Sequence, residues 1–154
     1  MASLTEHKVQ AAELVELMAD TLTDGQAIRH VGFSGTSMMP MLRQRRDSVE
    51  LVKAPPELKK YDLPMYIGPR GKYVMHRIVE VREDCYICLG DNTYTREQVR
   101  REQIVALVSA FYRDEKRIPV DSAVYRMYCR VWCAIFPLRS VAWRAKKWLR
   151  RHLK

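Results

Sequence analysis

Gly68-Pro69-Arg70-Gly71-Lys72-Tyr73-Val74-Met75-His76-Arg77-Ile78-Val79-Glu80-Val81 reads as a hairpin loop running into a strand. Proline fixes one φ and the flanking glycines tolerate left-handed backbone, which suits a tight reversal. Outward from it lie further short strand candidates: Ala27 to Phe33, Ser48 to Val52, Leu63 to Ile67, Cys85 to Leu89 and Ile104 to Tyr112. Breakers separate them, among them Pro55-Pro56 and Gly90-Asp91-Asn92. Short strands at this spacing predict a small antiparallel barrel or coiled sheet.

Both ends read as helical. Ser3-Leu4-Thr5-Glu6 has the form of a capping box, and Leu4, Ala11, Leu14, Val15, Met18 and Leu22 recur at helical spacing, so an amphipathic helix is expected over 4–22. After Pro119, Tyr125, Tyr128, Trp132 and Ile135 form one stripe. Beyond Pro137, Leu138, Val141, Ala145, Trp148 and Leu149 form a second, with most of the basic residues off it. The expected organisation is a helical segment over 1–26, a mainly β domain over 27–121 and a basic, aromatic helical tail over 122–154, an α+β fold overall.

Charge sharpens that division. The chain carries a formal net charge of +9, and residues 122–154 hold nine basic side chains and no acidic one, along with all three tryptophans. Trp132, Trp143, Trp148, Arg150 and Arg151 therefore suggest contact with an anionic membrane surface, where aromatic rings sit at headgroup level and each nearby cation adds about 1 kcal/mol. Packing on the sheet is the competing reading. Nucleic acid is disfavoured because no base-reading fold accompanies the charge. No run of about 18 uncharged apolar residues is present, and acidic residues interrupt the start of the chain where a signal peptide would be apolar. A cytoplasmic location, peripheral at a membrane surface, is the expectation. Cys85, Cys88, Cys129 and Cys133 read as reduced, small buried hydrophobes rather than as a zinc site.

Ser37 lies between Gly35 and Pro40, residues that force a turn and let backbone amides approach a carbonyl. A serine hydroxyl is a poor nucleophile without a base. His76 is the best-placed one, flanked by Val74 and Ile78, since a neutral imidazole is chemically suited to general-base proton transfer. Asp91 at a strand end is placed to fix the histidine tautomer, and Glu97 is the second acidic candidate.

Taken together, over roughly residues 27–112, the chain resembles the signal-peptidase and LexA-type serine peptidases. Gly35-Thr36-Ser37-Met38-Met39-Pro40-Met41-Leu42 is similar to their nucleophile box, and Arg46-Asp47-Ser48-Val49 and Tyr61-Asp62-Leu63-Pro64 to their two Gly-Asp-x-Val strand starts with glycine replaced. Met75-His76-Arg77-Ile78-Val79 is similar to the base strand and Leu89-Gly90-Asp91-Asn92 to the closing box. Histidine at the base position matches the archaeal, endoplasmic-reticulum and sporulation-type branch. The resemblance implies a serine endopeptidase with Ser37 as nucleophile, His76 as general base, Asp91 (or Glu97) in support, and Gly35, Thr36 and Pro40 shaping the oxyanion loop. It implies an extended peptide substrate with small side chains near the cleaved bond, and no metal or organic cofactor. The alternatives are a catalytically silent peptide-binding or chaperone-like module of the same fold and a LexA-like self-cleaving regulator.

Overall fold

The computed structural model describes Leu22 and residues 26–152. Apart from Leu22, which is buried, the helix expected over 4–22 lies outside the described residues. What remains is α+β and mainly β: β1 (Ile28–Val31), β2 (Asp47–Val52), β3 (Pro64–Ile67), β4 (Tyr73–Met75), β5 (Arg77–Val81), β6 (Tyr86–Leu89), β7 (Glu97–Val99), β8 (Ile104–Arg113) and β9 (Lys116–Pro119), then α1 (Ala123–Ala134) and α2 (Phe136–His152).

All pairings are antiparallel. One sheet has the order β1-β2-β8-β3-β4, with β9 also on β8, and the other the order β5-β6-β7. No closed barrel is formed among the described residues. The single strand expected over Lys72 to Val81 explains why. It divides at His76, so that Tyr73–Met75 pairs with β3 while Arg77–Val81 leaves that sheet to pair with β6. The predicted hairpin loop joins β3 to β4, closed by a bond from the Gly68 N–H to the Lys72 carbonyl at 2.8 Å.

Two apolar cores follow from this split. The first gathers Leu22, Met38, Leu42, Val49, Leu51, Leu63, Met65, Val108, Phe111, Tyr125 and Cys129, and the second Leu58, Tyr66, Ile78, Tyr86, Cys88 and Val99. Strand β3 serves both, because successive side chains point to opposite faces: Met65 enters the first core and Tyr66 the second. Each fully buried Leu, Ile or Val contributes roughly 1.5–3 kcal/mol. Cys85, Cys88 and Cys129 are buried and Cys133 is half-buried, all as free thiols. Burial pushes the Cys88 thiol up to about 12, which suppresses its thiolate.

Ser122 caps α1, its hydroxyl accepting from the Tyr125 N–H at 3.3 Å. The junction is Ile135, and Pro137 falls in the first turn of α2, where its missing N–H costs nothing. Tyr125 and Cys129 on α1 are buried in the first core.

The long β8 also carries an ionic layer. Asp47 accepts from the Arg43 N–H at 3.0 Å and from Arg46 and Arg113, and Arg113 also donates to the Met41 carbonyl. This fastens the far end of the Ser37 loop. Glu50 accepts from Ser109, Tyr112 and Arg117. Burial would raise the Asp47 carboxyl, but the bonds from Arg46, Arg113 and the Arg43 amide outweigh it and hold it at about 2. The Arg117 bond, opposed by burial and helped by Ser109 and Tyr112, holds Glu50 at about 2 as well. Both carboxyls are depressed in the fold, so between their ordinary values of 3.8 and 4.5 and about 2 the unfolded chain binds more protons than the native one. Urea unfolding should show stability level above about pH 4.5 and falling as pH drops towards about 2, with a shallower fall in Glu50→Gln. A flat acid profile would refute this layer.

Candidate active site

The Ser37 loop is held from three directions. Gly35 has φ +103°, left-handed backbone that L side chains rarely adopt, and its N–H donates to Gln44 Oε1 at 2.9 Å. The Met39 and Leu42 amides close turns on the Thr36 and Met38 carbonyls at 3.1 and 2.9 Å. Met38, Met41 and Leu42 are buried, whereas Ser37 is half-buried and Thr36 and Pro40 are exposed. The loop is therefore anchored by its apolar half and presents its polar half.

The third support is the segment Gly90-Asp91-Asn92. The Asn92 N–H donates to the Ser37 carbonyl at 2.7 Å, and its side-chain amide donates to the Thr36 carbonyl at 3.2 Å. A Cβ on Gly90 would lie 2.8 Å from that Ser37 carbonyl, so the approach requires glycine. Between these two residues, Asp91 faces elsewhere. Its carboxylate accepts from Arg77 Nε at 2.9 Å and Nη2 at 2.8 Å, and from the Tyr128 hydroxyl at 3.1 Å.

Arg77 is fully buried. Besides Asp91 it donates to the Tyr125 hydroxyl at 2.9 Å, Cys129 Sγ at 2.8 Å and Met41 Sδ at 3.1 Å, and its guanidinium lies 5.4 Å from the Tyr125 ring centre. Desolvation opposes its charge, but Tyr125 and Asp91 more than compensate, and it titrates well above the ordinary arginine value.

His76 is the residue at which the chain passes between the two sheets, and only 6% of it is exposed. Its Nδ1 lies 3.1 Å from Glu97 Oε2 and 3.1 Å from the Tyr66 hydroxyl, which itself donates to the same Glu97 oxygen. The carboxylate facing His76 is thus Glu97. Asp91, the favoured supporting acid from the sequence, is turned to Arg77 instead, because neighbouring positions in a strand face opposite ways and the Arg77 guanidinium needs a buried counter-ion. Ser37 and His76 line one cavity of about 420 Å³, together with Glu97 and the apolar side chains of Val31, Phe33, Met65 and Met75. No hydrogen bond joins the Ser37 hydroxyl to His76.

Tyr66 and Arg77 are the site residues that the sequence left unmarked. A tyrosine in an apolar strand reads as core, and an arginine two residues before a valine reads as a solvated face.

The tail residues divide. Trp132 is half-buried and its Nε1 donates to the Asp91 carbonyl at 3.0 Å; Arg139 donates to the same carbonyl and stacks on the Trp132 ring at 3.9 Å. Trp143 stacks on Tyr94 at 4.7 Å. Trp148 is 58% exposed against His152. The side chains of Arg150 and Arg151 lie outside the described set.

Removing one partner of a buried pair leaves an uncompensated charge, at a cost of about 3–5 kcal/mol. Asp91→Asn should lose stability on that scale in urea unfolding, while Glu97→Gln, at a partly exposed carboxylate, should change it by less than about 1 kcal/mol. Equal effects of the two substitutions would overturn this division of roles. No family model and no curated protein matches this chain.

Proposed function

We propose that the protein is a serine endopeptidase of the histidine-type signal-peptidase kind. The observation that carries this reading is the shared cavity: Ser37 on its clamped loop and His76, with a carboxylate on its Nδ1, line the same apolar pocket. In this reading His76 removes the Ser37 proton as the hydroxyl attacks a peptide carbonyl and returns it to the leaving amine. Glu97 holds the imidazole and stabilises its cationic form. Backbone amides of the Gly35-Thr36-Ser37 turn are the candidates for the oxyanion, a role in which rigid placement matters most. An extended substrate would add along the edge of β4, since Tyr73–Met75 pairs only with β3 among the described residues and leads directly into His76.

The C-terminal helices support attachment to an anionic membrane surface. The inward stripe of α1 packs on the domain, but that of α2 does not: Leu138 is 74% exposed, Val141 64%, Trp148 58% and Leu149 45%. On α1, Val124, Met127 and Val131 are exposed as well. This outward apolar face is flanked by cations with no acidic residue in 122–154. A soluble domain gains nothing by showing such a face to water. No described helix is long and apolar enough to cross a membrane, which makes a surface contact the fitting geometry.

A peptide-binding module without turnover is the second reading, favoured by the lack of a direct bond between the Ser37 hydroxyl and His76. Incubation with a peptide library, read by mass spectrometry, separates the two. Ser37→Ala and His76→Ala should each lower cleavage by about 10³-fold or more. Peptide capture without any cleavage by the wild type establishes the module instead. In co-sedimentation, binding to phosphatidylserine vesicles should weaken about 10-fold in Leu138→Glu/Val141→Glu and on raising salt. Unchanged binding by that variant would remove α2 from the contact.

A further inference from the structure

Tyr66 carries a contact that a core tyrosine does not need. Its ring is buried in the second core with 1% exposure, while its hydroxyl reaches both Glu97 Oε2 and His76 Nδ1. We infer that Tyr66 is the positioning residue that pins Glu97 against His76 and thereby sets the histidine tautomer with the proton on Nδ1.

The argument is a count of protons and lone pairs. An ionised carboxylate only accepts, and a phenol has one proton. Tyr66 donates that proton to Glu97, so its oxygen turns a lone pair, not a hydrogen, towards the imidazole. Nδ1 therefore meets two acceptors, each at 3.1 Å, and only an N–H satisfies it. The neutral ring then has its lone pair on Nε2, which no described residue engages. That is the nitrogen a general base requires.

Glu97 would not hold this geometry alone. It sits at the start of β7, a strand of three residues at the outer position of the second sheet, and its side chain is 31% exposed. A carboxylate so placed can turn to water. The bond from a phenol fixed in the core removes that freedom. The phenol keeps its proton throughout, because burial and then the Glu97 charge push it well above the ordinary tyrosine value.

The catalytic consequence rests on the peptidase reading; the tautomer does not. Long-range ¹H–¹⁵N spectra of the full chain, recorded where the ring is neutral, should show His76 as a single Nδ1–H tautomer in the wild type. Tyr66→Phe keeps the ring in the core and should give a mixed tautomer, with kcat down about 10-fold and KM changed less than about 2-fold. Glu97→Gln should mix the tautomer as well, and adding Tyr66→Phe to it should cause no further loss, since the hydroxyl acts through Glu97. An Nε2–H tautomer in the wild type, a retained single Nδ1–H tautomer in folded Tyr66→Phe, or additive losses in the double variant would each overturn the inference. The wild-type spectrum decides the matter even where a variant fails to fold. Absence of cleavage by a wild type with the Nδ1–H tautomer would instead strike the peptidase reading alone.

Discussion

The ion pair between Arg77 and Asp91 is the constraint on which the rest of the molecule turns. Neither charge reaches water, and desolvating two such groups costs several kcal/mol each before any attraction is counted. The pair is sustained because Arg77 has donors enough to satisfy Asp91 twice and still reach Tyr125, Cys129 and Met41. Those partners come from the closing box, helix α1 and the Ser37 loop, and Arg77 itself from β5. One guanidinium thus joins four parts of the chain. Its value lies in the arrangement it enforces, since an apolar replacement of equal volume could match its stability but would not orient the box.

The adjacency of His76 and Arg77 is the second consequence. The chain changes sheets at His76, and the two side chains diverge: one to the cavity with Glu97, the next to the interior with Asp91. Each basic residue therefore has its own carboxylate, and the two acid roles that a sequence reading merges are separate. Gly90 and Asn92 complete the coupling, for the same short segment that neutralises Arg77 also grips the Ser37 carbonyl. Structural and chemical demands meet within three residues.

Much of this was legible beforehand. The strands β1, β2, β3, β6 and β8 lie where apolar runs between breakers placed them, and Tyr125, Tyr128 and Trp132 do share one side of α1, although that side faces the domain where the sequence suggested a membrane surface for Trp132. Strands β7 and β9 were not, because Glu97–Val99 and Lys116–Pro119 begin with two polar residues and contain no apolar run, and β7 holds Glu97. The choice between Asp91 and Glu97 was undetermined for a physical reason: it depends on which face of a strand Arg77 takes, and that follows from a break at His76 that no local residue announces. Tyr61 illustrates a gentler limit. It adopts φ +80°, a left-handed backbone that a residue with a side chain holds only at some cost in strain. In the other box the left-handed residue is Arg45, not Arg46.

The tail changes meaning once Asp91 is placed. Trp132 and Arg139 both donate to the Asp91 carbonyl, so α1 and α2 are tied to the closing box by side chains whose polar atoms are already committed. Aromatic and cationic composition alone made all three tryptophans equal candidates for a surface contact. Only those whose rings stay outside this anchorage remain candidates, and Trp148 on the exposed stripe is the clearest. Arg139 holds the Asp91 carbonyl one residue from Asn92, which in turn holds the Ser37 carbonyl. The helices are therefore part of the frame that positions the site, whatever surface they meet on their other side.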